Sequence, residues 1–149
     1  MSGTVRNQHA TAIVIGTQGF LFVGPSGSGK TTSALACLAE ARTLGQFAAF
    51  VGDDQVIVSL RAERIVAEAI DTIAGQAELR GAGIVDVPAI AAAVMDFAVL
   101  PVEVATSERI PPEDEQFEME SIGALPLLRL PATSTQILDQ LLRLAASRR

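Results

Sequence analysis

The apolar positions of this chain fall into short runs, each broken by Gly, Pro or charge. Residues 10–15 (ATAIVI) and 20–23 (FLFV) flank GTQG at 16–19, which predicts two strands and a turn, an N-terminal hairpin. Residues 31–41 (TTSALACLAEA) are rich in Ala and Leu and follow Gly29, the pattern of a helix, with Gly45 ending it. A short buried strand is expected at 47–51 (FAAFV), running into Gly52-Asp53-Asp54. Residues 55–60 and 64–69 alternate around RAE as a second hairpin does. Further strands are expected at 84–87, 94–104 and 125–130, with AIAAAVM beginning as a helical turn. Pro111-Pro112 opens a charged stretch, EDEQFEMES, expected as solvated loop. Residues 133–146 end the chain as an amphipathic helix with Ile137, Leu138, Leu141, Leu142 and Ala145 on one face. Strands and helices mixed around hairpins predict an α/β domain with a mixed sheet and flanking helices.

The length of 149 residues fits one domain, residues 1–149. With 49% hydrophobic and 19% charged residues the chain is expected to be globular. No apolar run approaches the roughly 20 residues of a membrane span, and MSGTVRNQHA has no apolar core of a secretory signal. The single Cys37 cannot form an internal disulfide and suits a reducing cytoplasm, as a small buried apolar residue. Net charge is −6, Tyr and Trp are absent and the six Phe are scattered. No basic stripe or stacking platform points to nucleic acid.

One stretch carries plain chemistry: GPSGSGKTT, comprising Gly24, Pro25, Ser26, Gly27, Ser28, Gly29, Lys30, Thr31 and Thr32. It meets G-x-x-x-x-G-K-[ST] in full, after an expected strand and before an expected helix. The glycines let the backbone curl so that successive N–H groups cradle phosphate oxygens. The helix N-terminus faces the same anion, Lys30 supplies a mobile positive charge, and the Thr31 hydroxyl can ligate Mg²⁺. A nucleoside triphosphate or related phosphate ligand is expected here. Such a domain also needs a carboxylate near the metal. Asp53 and Asp54 end the next buried strand, where one can orient Mg²⁺ and the other take a proton from an attacking hydroxyl. An Asp-rich turn opening a hairpin is the alternative; the loop upstream favours the functional reading. The short spacing does not suit transport ATPases, D-x-x-G and N-K-x-D of GTPases are absent, and the Arg-rich lid of small nucleoside kinases is missing.

The order HATAI (9–13), GPSGSGKTT (24–32), FVGDD (50–54), AELRGAGIVDV (77–87) and SERIPP (107–112) resembles the catalytic domain of HPr kinase/phosphorylase, in its short alphaproteobacterial form. AELRGAGIVDV is the specific part, similar to the signature E-x-R-G-x-G-I-[IV]-[DN]-V. The resemblance implies a P-loop fold like that of HPr kinase and phosphoenolpyruvate carboxykinase. It implies ATP and Mg²⁺ as cofactors, with Lys30 and the loop on the triphosphate and Thr31, Glu78 and Asp54 around the metal. Asp53 is the member of the acid pair that it favours as the base activating an acceptor serine. His9 and Arg109 are implied at the active site, Arg109 from the same or a neighbouring subunit, and Arg80 either meets phosphate or braces Glu78. The implied acceptor is the phosphocarrier HPr or its nitrogen-system relative. Phosphorolysis as the reverse step, homo-oligomers and association with a sensor kinase are implied as well. The chain departs from the long enzymes in lacking their N-terminal domain, in a shorter PAIAAAVMDFAVL stretch, and in Ile-Pro-Pro after Arg109. These departures keep two alternatives open: an ATP-responsive binding module with little transfer, and a small-molecule kinase.

Overall fold

The computed structural model describes residues 4–70, 76–79, 81–103, 112–132 and 135–148; the side chains of residues 78, 79 and 86 also lie outside the description. The strand pattern folds into two stacked sheets, with two helices on the outer face of the larger one. That sheet has six strands: β2 (Thr11–Ile15), β3 (Gln18–Phe22), β4 (Ala48–Gly52), β10 (Phe97–Val102), β11 (Gln116–Met119) and β12 (Gly123–Pro131). Their order is β11-β12-β10-β3-β2-β4. β10 runs parallel to both β3 and β12, while the β2–β3, β2–β4 and β11–β12 pairs are antiparallel. The sheet is therefore mixed, as the sequence predicts. The second sheet is antiparallel, ordered β1-β5-β6-β9 from β1 (Val5–Gln8), β5 (Val56–Arg61), β6 (Arg64–Glu68) and β9 (Ala92–Met95). β7 (Gln76–Leu79) and β8 (Gly83–Asp86) form a separate hairpin.

Period-two alternation in the central strands divides the core. Ile13, Ile15, Phe20, Phe22, Phe50 and Val99 face α1 (Lys30–Thr43) and α2 (Ile137–Ser147), meeting Ala34, Cys37, Leu38, Leu138 and Leu141. Ala12, Val14, Leu21, Val23 and Val51 face the second sheet, meeting Val56, Val58, Ile65 and Met95. Strands buried on both faces read as continuous apolar runs, which is why ATAIVI and FLFV look as they do. The predicted apolar face of α2 is the one buried, with Leu142 at its margin.

Two expectations change. AIAAAVM does not begin a helical turn: Ala92–Met95 is β9, paired antiparallel with β6. The strand expected at 94–104 is two strands, broken at Asp96, whose N–H donates to Gly19 O at 2.8 Å while its Oδ2 accepts from Gly19 N at 2.8 Å. Nor is EDEQFEMES simply solvated loop. Gln116–Met119 is β11, with Met119 buried and Phe117 packed on the inter-sheet core while Gln116 and Glu118 face solvent. Dense charge hides a strand whose apolar residues alternate correctly. Beyond these, β1 and β7 form where no strand is expected.

Candidate functional site

β3 delivers the chain to Gly24, residues 24–29 form a loop, and α1 begins at Lys30. Three loop glycines sit at positive φ: Gly24 at 129°, Gly27 at 82° and Gly29 at 94°. Gly29 takes the N-cap place of α1 in left-handed geometry with no side-chain cap, so the first N–H groups of the helix are turned toward the loop. Gly24 is also a close approach: a Cβ there would lie 2.9 Å from Ser28 Oγ and 3.2 Å from a Leu100 methyl. Lys30 is buried, and its Nζ donates to the Gly24 and Pro25 carbonyls at 2.9 and 3.1 Å. The loop's own carbonyls thus satisfy a buried ammonium.

The acids arrive from β4. Opposite β2, Gly52 pairs with Ala12 but Phe50 pairs with Ile13, so Val51 is an extra residue, a bulge that redirects the strand just before Asp53. Asp53 is buried, and its Oδ1 accepts from Thr31 Oγ1 at 2.5 Å and from Thr11 Oγ1 at 3.1 Å. Asp54 turns outward. Its Oδ1 lies 2.7 Å from His9 Nε2, and since a carboxylate only accepts, His9 carries its proton on Nε2 in this contact. Both side chains of that pair are substantially exposed, at 42% and 61%, so the contact organises the site more than it stabilises the fold. Asp54 itself has φ 65°, a conformation that costs a non-glycine residue about 1–2 kcal/mol. Asp tolerates it better than most residues.

Ser26, Gly27, Gly29, Lys30, Thr31, Thr32, Asp53 and Asp54 line one polar cleft of about 250 Å³. Residues from two distant segments therefore meet in one cleft. Gly24 and Pro25 act behind the cleft by holding Lys30, and the Ser28 hydroxyl is buried with no hydrogen-bond partner among the described residues. Glu78 lies on β7, but its side chain is outside the described residues, as are Arg80 and Arg109. Thr11 is a residue that the sequence motifs do not single out. A hydroxyl at the site end of an otherwise apolar strand is the one signal that marks it.

The donors around the cleft test the expected metal. Thr31 and Asp53 offer a hydroxyl and a carboxylate, hard oxygens, side by side. Mg²⁺ takes one or two such protein ligands and completes its shell with water and phosphate. No cluster of three His, Cys, Asp or Glu occurs among the described residues. The residues present fit Mg²⁺.

No protein-family profile matches the sequence, and no curated protein matches it. The fold does have a solved counterpart. The chain superposes on the Hpr(Ser) kinase/phosphatase from Coxiella burnetii with a TM-score of 0.76 over 97% of this chain and 96% of that one, at 19% sequence identity. The fold is that of an Hpr(Ser) kinase/phosphatase. No helix among the described residues is long and apolar enough to cross a membrane.

Proposed function

We propose that this protein is an ATP-dependent serine kinase whose acceptor is a phosphocarrier protein, HPr or its nitrogen-system relative. The observation that carries the reading is the convergence of the phosphate loop and the acid pair on one cleft: Thr31 of the loop's helix bonds Asp53, and Asp54 with His9 stands beside it. The shared fold with an Hpr(Ser) kinase/phosphatase and the AELRGAGIVDV stretch support it.

In this reading the loop N–H groups and the start of α1 hold the β and γ phosphates of ATP, with Lys30 leaving the Gly24 and Pro25 carbonyls to meet them. Thr31 and Asp53, with Glu78 as implied by the family resemblance, would hold Mg²⁺, which would supply charge neutralisation at the transferring phosphoryl group. Asp54 accepts the proton of the serine hydroxyl, whose oxygen bonds to the γ phosphorus as the bond to the ADP oxygen breaks. This allotment reverses the one the resemblance favours, with Asp53 as base. The distances support the reversal: Asp53 is buried against Thr31 and Thr11, whereas Asp54 is open to an acceptor. Arg109 assists from the same or a neighbouring subunit of a homo-oligomer, and phosphorolysis uses the same groups: inorganic phosphate attacks the phosphoserine phosphorus, the serine oxygen leaves and takes a proton from Asp54, and pyrophosphate is formed. A cytoplasmic setting suits the free thiol of Cys37.

The test is direct. Purified protein with Mg²⁺-ATP is incubated with each phosphocarrier encoded in the same genome, and phosphoserine is read by mass spectrometry. One labelled serine on one carrier is the expected result. Tight ATP binding with no labelled acceptor would overturn the kinase assignment in favour of a nucleotide-responsive binding module.

A further inference from the structure

Thr11 is wholly buried on β2, between Ala10 and Ala12, which are wholly buried too. A hydroxyl in such surroundings is costly unless it is hydrogen-bonded. Among the described residues, the hydrogen bonds of its hydroxyl run to the acid pair alone. Thr11 Oγ1 donates to Asp53 Oδ1 at 3.1 Å and accepts from the Asp54 N–H at 3.2 Å. The same Asp53 oxygen also accepts from Thr31 at 2.5 Å, so it is held from β2 on one side and from α1 on the other.

The chain around Asp54 needs such support. Gln55 N donates to Asp53 O at 2.7 Å, closing a three-residue turn with Asp54 at its centre and at positive φ. A conformation of this kind persists where its surroundings hold it. Here they are two consecutive residues, Ala10 just before β2 and Thr11 at its start: Thr11 takes the Asp54 N–H, and the Ala10 N–H donates to Asp54 O at 3.0 Å. One hydroxyl thus fixes both the carboxylate of the first acid and the backbone that aims the second.

The geometry points to Thr11 as a positioning residue for both acids, holding Asp53 toward the metal side of the cleft and Asp54 toward the acceptor. It touches no reacting atom and acts through its two neighbours. The inference rests on the kinase reading above, but its test does not need a phosphate acceptor.

Wild type, Thr11→Val, Thr11→Ala and Thr11→Ser are compared by titration with a fluorescent ATP analogue, once with Mg²⁺ and once with EDTA. The readout is the ratio of the two affinities. Removing the hydroxyl is expected to shrink the gain from Mg²⁺ by about tenfold or more, the scale on which residues behind metal ligands act, with EDTA affinity little changed. Thr11→Ser is expected to restore it. Where the acceptor is known, Thr11→Val lowers kcat by about 10- to 100-fold and raises KM for Mg²⁺-ATP in step with the smaller Mg²⁺ gain, and Thr11→Ser restores both. Two removal variants guard against poor packing of either one. A variant that melts earlier but keeps the Mg²⁺ gain shows a purely structural hydroxyl and overturns the inference, as does loss of fold in both removal variants or failure of Thr11→Ser to rescue. If the wild type binds no ATP in Mg²⁺ or EDTA, it is the kinase reading that falls, a result distinct from each of these.

Discussion

The Thr31 hydroxyl and Asp53 Oδ1 are 2.5 Å apart although 22 positions separate them in sequence. One helix and one strand fold back to make that contact, and it ties the glycine-rich loop before α1 to the acid pair. It also sorts two adjacent aspartates into different surroundings, one buried among hydroxyls and one exposed beside His9.

The two acids should therefore fail differently when neutralised. Asp53→Asn is expected to remove most of the Mg²⁺ gain in ATP affinity, measured by titration with and without the ion. Asp54→Asn is expected to keep that gain and to slow transfer to the acceptor by about 10²–10⁴-fold, the usual effect of losing a general base. The converse pattern would return the base to Asp53.

Much of this arrangement is legible in the sequence, and the reason is physical. The G-x-x-x-x-G-K-[ST] pattern predicts a strand before it and a helix after it, and GPSGSGKTT lies between β3 and α1. The buried central strands announce themselves as apolar runs. What stays hidden has no strong local pattern. β9 is an Ala-rich stretch whose local propensity favours helix, and only its pairing with β6 makes it a strand. β11 carries its two apolar residues among glutamates and glutamine, so composition outweighs period. Thr11 reads as one more strand residue until Asp53 and Asp54 are brought against it by β4.

The helix pair rests on another contact between distant residues. Glu40 of α1 reaches the start of α2, accepting from the Leu138 and Asp139 N–H groups at 3.4 and 3.3 Å. The N-cap residue Gln136 makes no side-chain cap of its own, so Glu40 serves in its place. Glu40→Ala should cost about 1 kcal/mol, the scale of a lost N-cap, and lower the melting temperature by about 2–4 °C. Calorimetry checks this, and an unchanged midpoint would show that water caps α2 equally well.

Two glycine-to-alanine substitutions separate crowding from backbone strain. At Gly19 a Cβ would stand 1.9 Å from Val94 O and 2.7 Å from the Met95 methyl, a backbone clash where the two sheets meet. At Gly45, φ is 75° and nothing lies within 4 Å of the added atom. There the cost is conformational, since the residue ends α1 with Gly45 N–H on Arg42 O and Gln46 N–H on Ala41 O. Gly45→Ala should lose about 1–2 kcal/mol. Gly19→Ala should lose clearly more, about 3 kcal/mol or above, because the sheets must part. Urea unfolding of the two variants ranks them, and equal losses would contradict the crowding argument.

Cys37 makes the fold less stable at alkaline pH. Its thiol is wholly buried between α1 and the six-stranded sheet, and burial, with a smaller contribution from the Glu40 carboxylate, pushes its pKa from 9.0 up to about 12. The unfolded chain releases the proton near 9.0, whereas the folded chain holds it to about 12. Between those values the unfolded state binds fewer protons, so stability falls as pH rises, by up to about 1.4 kcal/mol per pH unit. Below pH 9 this contribution is fully present. Cys37→Ala should flatten the decline between pH 9 and 11 in urea titrations, apart from a constant loss from the smaller side chain. In the native wild type at pH 8 the thiol should react with a disulfide reagent far more slowly than in urea. Equal rates in the two conditions, or parallel pH profiles for wild type and variant, would show that the thiol ionises without unfolding.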